Sequence, residues 1–147
     1  MSGLDNMNGH LTIDGQDAWG VFGFVVRPGS IESWLLLPEM KEPFSHDWKD
    51  EHGIEVDLTH VYLKDKKVSL KVYFIAETES SFWTKYNALS TLLTSTGLRT
   101  VYYRELNKSF QVFYTRSSDA RRIKGIKNSY IIVIEMTLHF TIPDPSS

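Results

Sequence analysis

The residues best suited to chemistry lie between His46 and His52, where two imidazoles and three carboxylates occur within seven residues. Transition metals accept all of these groups as ligands. The spacing matches no established metal motif, and a helix would place the two histidines far apart around its axis. A solvated acidic loop is therefore the favoured interpretation, with His46 and His52 as weak metal candidates and a metal-dependent enzyme as a minor alternative. We predict no metal and no cofactor.

The rest of the chain offers no catalytic signature. His10, His60 and His139 are scattered, and we expect each to lie on a strand with its ring hydrogen-bonded. The sequence contains no nucleophile elbow, phosphate-binding glycine loop or dinucleotide fingerprint. It also contains no cysteine, which excludes disulfides, thiolate zinc sites and cysteine nucleophiles. We therefore predict that the protein is not an enzyme and has no small-molecule substrate.

Aromatic residues concentrate on two neighbouring predicted strands, beside several basic residues. The aromatic residues are Tyr102, Tyr103, Phe110, Phe113 and Tyr114. Exposed rings of this kind could stack on a sugar or a nucleobase, but cross-strand aromatic pairs are also a common means of stabilising a sheet. We favour packing, and keep a carbohydrate- or ligand-binding β-sandwich as the alternative function.

Hydrophobic periodicity identifies the elements that position these residues. Alternation with a period of two predicts strands at 11–13, 18–26, 31–37, 54–59, 68–76, 98–104, 109–115 and 130–141. One segment instead predicts a helix at about 79–95, with Phe82, Tyr86, Leu89 and Leu93 on one face and Trp83 and Leu92 widening it. The predicted fold is mainly β with one packed α-helix, a β-sandwich or curved barrel of antiparallel strands.

Length and composition indicate one domain over residues 1–147. We expect flexible segments at 1–9 and 143–147, a long polar loop at 39–53 and a polar, basic connector at 117–128. A net charge of −2 gives no global reason to expect binding to nucleic acid or to a membrane.

Charge is unevenly distributed along the chain. Residues 39–57 hold seven acids and two lysines, a net charge of −5, whereas residues 99–127 hold eight bases and two acids, a net charge of +6. Two interpretations stay open. The segments are two solvated surfaces, or the acidic segment of one copy docks on the basic segment of the next, a head-to-tail contact that can close into a ring. Nucleic acid on the basic segment is a third, weaker option because no groove-reading motif accompanies it. The predicted self-assembly residues are Glu39, Glu42, Asp47, Asp50, Glu51, Arg116, Arg121, Arg122 and Lys124.

The order of these features over residues 19–140 carries a family resemblance. The series comprises Phe22-Gly23-Phe24, the turn Pro28-Gly29, the strand 68–76, a helix ending in Leu89, Leu92, Leu93 and Gly97, then Tyr102-Tyr103 and Phe110–Tyr114 before a final strand. It resembles the N-terminal domain of phage distal tail proteins and, more broadly, the tail-tube-like fold of phage and related injection machines.

The resemblance implies a structural, non-enzymatic subunit of a phage or prophage tail or baseplate. Its implied partners are further copies, in a ring that is commonly hexameric, and other tail proteins. DNA would only pass through the lumen, and no membrane partner is implied. The implied location is the virion tail, or the cytoplasm of the bacterial host during assembly. A distal tail protein, a tube-related protein and a tail-completion or accessory protein all stay open.

Overall fold

The computed structural model describes residues 9–41, 44–46, 55–57, 62–124 and 131–145. In chain order, its strands and helices are β1 (Leu11–Ile13), β2 (Gln16–Asp17), α1 (Ala18–Phe22), β3 (Phe24–Val26), α2 (Glu32–Leu35), β4 (Phe44–His46), β5 (Glu55–Asp57), β6 (Lys66–Ala76), α3 (Glu79–Leu93), β7 (Arg99–Tyr103), β8 (Lys108–Lys124) and β9 (Ile132–Ile142). The predicted mainly β class is confirmed. None of the helices in these ranges is long and apolar enough to cross a membrane.

Seven strands form one antiparallel sheet in the order β2-β1-β7-β8-β9-β6-β3, and β4 pairs separately with β5. Strand β8 holds the sheet together because it changes partner along its length. Its first five residues, Lys108–Val112, pair with β7, whereas its pairing from Phe113 onward is with β9. The two halves of the sheet therefore share this single long strand.

Alternation along β6 builds the centre of the core. Val68, Leu70, Val72, Phe74 and Ala76 are buried, while the residues between them face the other side of the sheet. Because successive side chains of a strand point to opposite faces, this pattern places one apolar face against the helices. The predicted strand is confirmed.

Helix α3 packs its apolar stripe on that face. Phe82, Leu89 and Leu93 are buried, and the rings of Phe82 and Phe74 lie 6.3 Å apart. Thr78 caps the helix, since its hydroxyl accepts a hydrogen bond from the backbone N–H of Ser81 at 3.0 Å. The predicted helix is confirmed, but the expectation that Trp83 widens its buried stripe is wrong, because that side chain is 48% exposed.

Two predicted strands near the N-terminus contain short helices instead. Residues 18–22 form α1 because Asp17 accepts a hydrogen bond from the backbone N–H of Gly20 at 2.7 Å, and because Gly23 ends the helix at φ +72°. The predicted strand 31–37 contains α2, which turns Trp34 into the core. The indole N–H of Trp34 donates to the backbone oxygen of Ser69 at 2.8 Å.

The predicted connector 117–128 is largely strand. Strand β8 continues to Lys124 and follows β9 through three register shifts. Its polar side chains reflect exposure, which a strand tolerates on a solvent face. The predicted loop 39–53 contains β4, whose register places His46 opposite Glu55 of β5. Of the segments predicted to be flexible, 1–9 and 143–147, residues 1–8 and 146–147 lie outside the described ranges.

Candidate functional site

The acidic side of the predicted interface is represented in the structure by Glu39. Its side chain is 75% exposed and its carboxylate lies 3.1 Å from the ammonium of Lys64. The backbone N–H of Lys64 also donates to the backbone oxygen of Glu39, at 2.7 Å. Glu42, Asp47, Asp50 and Glu51 lie outside the described residues. The ion pair fixes the base of the acidic segment while leaving the Glu39 carboxylate open to solvent.

The basic side lies on β8. Arg116, Arg121 and Arg122 are exposed, and Lys124 is the last residue of the strand, in register with Val133. The guanidinium of Arg121 is 3.7 Å from the carboxylate of Glu135 on β9. Arg121 therefore has a partner within its own chain, which sequence reasoning missed because the contact depends on the register of β8 on β9.

Arg121, Arg122 and Lys124 lie toward the end of the sheet opposite Glu39, whereas Arg116, in register with His139 and through it with Ser69, lies nearer the Glu39 end. Arg122 pairs in register with Ile134, which pairs with Phe74 near the end of β6. At the other end, the first residue of β6, Lys66, pairs with Ile142, and Glu39 is tied to Lys64 just before it. Because Phe74 and Lys66 are eight residues apart on β6, these two positions are separated by about 26 Å. One copy can therefore present both surfaces to two neighbours at once.

A groove of about 270 Å³ opens at the Lys66 end, which we call the groove end. Trp34, Phe110 and Ile142 are buried residues among those that line it. Leu35, Leu36 and Leu37 form one wall and are 58%, 66% and 89% exposed. Sequence reasoning missed this groove, because three consecutive leucines predict a buried segment.

Two lysines lie at this groove. The ammonium of Lys66 donates to the backbone oxygens of Trp34, at 2.8 Å, and Leu36. The ammonium of Lys108 is 5.2 Å from the ring centroid of Phe110. Burial, and to a lesser degree the neighbouring charge of Lys108, lower the pKa of Lys66. None of the described residues that line the groove carries a carboxylate.

A serine, a histidine and an aspartate meet on the outer face of β8 and β9, but in an order unsuited to nucleophilic catalysis. Ser118 donates its hydroxyl hydrogen to Asp119 at 3.0 Å and lies 2.7 Å from Nε2 of His139. The direction of the hydrogen bond between Ser118 and Nε2 depends on the tautomer of the imidazole. In a catalytic triad the histidine lies between the other two and accepts the serine proton. Here the aspartate contacts the serine rather than the histidine, so the order differs from that of a triad.

The aromatic residues considered for ligand stacking are divided between two faces of the sheet. Tyr103 and Phe110 are buried in the core, whereas Phe113 is exposed. Tyr102 donates its hydroxyl to Asn107 at 3.0 Å. The ring of Tyr114 packs against Phe140, with centroids 6.0 Å apart. These rings therefore form no shared stacking platform.

Comparison with solved structures shows what this arrangement is similar to. Over 92% of its length the chain matches the Dit protein (gp 19.1) of phage SPP1, described as a paradigm of the hub adsorption apparatus in phages that infect Gram-positive bacteria. The TM-score is 0.64 and the sequence identity is 15%. The likeness is one of fold. The chain spans half the length of that protein.

Comparisons by sequence give a different result, since no family model and no curated protein matches the chain.

Among the described residues, no three histidines, aspartates or glutamates gather as a metal site would require. His46 lies on β4, and His52 is outside the described ranges. Glu39 and the described basic residues of β8, by contrast, have positions in a fold that the chain shares with a phage protein.

Proposed function

We propose that this chain is a structural, non-enzymatic subunit of a phage or prophage tail or baseplate, of the distal-tail or tail-tube type. The observation that carries the proposal is the fold that the chain shares, over 92% of its length, with a phage hub adsorption protein. Fold alone does not define function. The distribution of charge on this particular chain supplies an independent reason to expect self-assembly.

In this proposal, copies join head to tail through complementary charge. The acidic segment that begins at Glu39 faces the basic strand β8 of the next copy, including Arg116, Arg122 and Lys124. A contact between two different surfaces closes into a ring if its rotation permits, and we propose six copies. Other tail proteins would bind the ring, DNA would pass through its lumen, and the protein would reside in the virion tail after assembly in the host cytoplasm.

Solution mass tests this proposal directly. Light scattering over a concentration series, with negative-stain images of the same fractions, should show a closed ring with a mass several times the 16.9 kDa of one chain. A ring should dissociate as salt rises, because exposed charges are screened within about 10 Å at 0.1 M ionic strength. A monomer at every concentration, in low salt as well, would contradict the proposed self-assembly.

A further inference from the structure

We propose that the groove at the Lys66 end binds Trp83 of a second copy of this chain. The inference rests on the proposed self-assembly and adds an apolar contact to the charged one. The groove provides a buried aromatic and aliphatic surface, a wall of three exposed leucines and two lysines. At about 270 Å³ it suits one large side chain, since pockets for drug-sized ligands have about 300–1,000 Å³.

Trp83 has the shape and the surroundings that the groove requires. It lies in the second turn of α3 and is 48% exposed, supported from behind by the rings of Phe82 and Tyr86 at 5.0 and 5.3 Å. An indole held in this way loses little conformational freedom on binding, and tryptophan is enriched among the residues that dominate interface energies.

Charge complements shape at this contact. Glu79 is exposed one turn before Trp83, and residues four apart on a helix share a face. When Trp83 enters the groove, the carboxylate of Glu79 would therefore approach Lys66 and Lys108. The described residues that line the groove include no acid. The approaching carboxylate would offset the repulsion between the two ammonium groups.

The position of Trp83 restricts the occupant to another copy. Helix α3 begins just after Ala76, the last residue of β6, whereas the groove lies beside Lys66, the first. The rings beside Trp83, Phe82 and Tyr86, pack on Phe74, which is about 26 Å from Lys66 along β6, so a chain cannot fill its own groove. The contact must be head to tail.

The same geometry makes the apolar and charged contacts compatible. Arg121 and Arg122 lie at the Trp83 end of the sheet, because Arg122 is in register with Ile134 and Ile134 with Phe74, whose ring touches Phe82. Glu39 lies at the groove end, two residues after Leu37. One docking event can thus place Trp83 in the groove and bring the basic strand toward the acidic segment.

Cross-linking in the full-length chain tests the contact, because the sequence has no cysteine of its own. Ser80→Cys places a thiol one turn before Trp83, and Gln111→Cys places one on the groove lining; both positions are exposed. A short bismaleimide should join a mixture of the two variants into a dimer. Mixing Ser80→Cys with Leu98→Cys, at an exposed position outside both surfaces, gives the background.

Adding Trp83→Ala to the Ser80→Cys chain should lower the yield of the mixed dimer by about tenfold or more, which corresponds to a loss of at least about 1.4 kcal/mol at a residue central to an interface. Trp83→Phe should restore part of that yield. A mixed yield at background, or a yield that Trp83→Ala leaves unchanged, overturns the inference. If the cross-linking result overturns the Trp83 contact while the wild-type chain still forms rings, the proposed tail function stands. If cross-linking succeeds but no ring forms, the Trp83 contact stands and the proposed ring fails.

Discussion

Arg121 of β8 lies 3.7 Å from Glu135 of β9, and the other oxygen of that carboxylate is 3.5 Å from Arg27 of the segment after β3. Glu135 is thus shared by two guanidinium groups from opposite sides, and its side chain is only 16% exposed. Part of the positive charge on β8 is compensated within the chain. The neighbouring Arg122 is therefore the better candidate for contact with a second copy.

Charge reversal should separate these two arginines. Arg122→Glu should weaken self-assembly, raising the concentration for half-assembly by about 5–30-fold, as expected for loss of a close charge pair at an interface. Arg121→Glu should also lower the stability of the monomer, because it places a carboxylate beside Glu135. Light scattering gives the assembly midpoint, and urea unfolding gives the stability. An Arg122→Glu variant that assembles as well as wild type would refute the role of this charge.

Among the tryptophans that the structure describes, Trp34 should be the one whose loss lowers folding stability most. Its indole is 3% exposed, meets the rings of Phe110 and Phe140 at 5.1 and 5.9 Å, and donates to Ser69. Trp34→Ala should lower the free energy of unfolding by about 3–5 kcal/mol, as large-to-small core substitutions do. Urea denaturation followed by circular dichroism measures the change.

Trp83→Ala serves as the control for that measurement, because half of its surface is exposed in the monomer. We expect it to cost less than about 1.5 kcal/mol, the loss of its aromatic contacts. Equal losses at the two positions would contradict the burial difference on which the groove and its proposed occupant depend.

Lys66 should stabilise the segment that forms the groove wall. Its ammonium donates to the backbone oxygens of Trp34 and Leu36, so Lys66→Met should cost about 1–3 kcal/mol through two lost charge-assisted hydrogen bonds. Lys67→Met is the matched control, since this neighbour is exposed on the opposite face of β6. Hydrogen exchange at residues 34–37 should accelerate only in the first variant; acceleration in both would show a general effect of charge removal.

Thr78 should contribute a helix cap. Thr78→Ala removes the acceptor for the N–H of Ser81 and should lower the free energy of unfolding by about 1 kcal/mol. Thr91→Ala, at an exposed position inside the same helix, should be neutral or stabilising because alanine is the better helix former. Thermal melts of both variants measure the difference, and a neutral Thr78→Ala would show that the cap is dispensable.

His139 should make stability depend on pH. Burial, and then the charge of Arg116, lower its pKa below the ordinary 6.5, partly opposed by Asp119. The unfolded chain therefore takes up this proton first, so the stability that His139 contributes is complete above pH 6.5 and falls as the pH decreases toward the folded-state pKa. The difference in unfolding free energy between wild type and His139→Gln, measured from pH 8 to 5, should shrink as pH decreases. A difference that grows as the pH decreases would contradict the lowered pKa of His139.

Local sequence patterns predicted the long strand β6 and the long helix α3. The elements that these patterns did not predict depend on capping residues or on pairing with another strand. Alternation on β6 and the stripe from Phe82 to Leu93 are visible in the sequence, because each depends on residues near one another. Residues 18–22 fit either period, and the decisive signals were Asp17 and Gly23 at the ends of α1. The second half of β8 shows no apolar alternation, because its exposed residues are polar and only pairing with β9 makes it a strand.

The residue types of the candidate site could be predicted from the sequence, but the contacts between those residues could not. The excess of basic residues from Arg116 to Lys124 is evident from the sequence, whereas the compensation of Arg121 by Glu135 requires the register of β8 on β9. The leucines at 35–37 would be assigned to the core by hydrophobicity alone. Their exposure follows from a single helical turn that places Trp34, rather than its neighbours, against Ser69.

The pairing of β6 with β9 has a consequence for how the chain is made. Ala76 leaves the ribosome well before Ile142, and at about 5–20 residues per second the interval between them is about 3–13 s. During that time β6 lacks its long neighbour, and β1 likewise waits for β7. Pairings between distant segments form slowly and leave apolar faces uncovered meanwhile. The half-synthesised sheet, rather than the finished one, is thus the form of this protein whose apolar surface is open to aggregation.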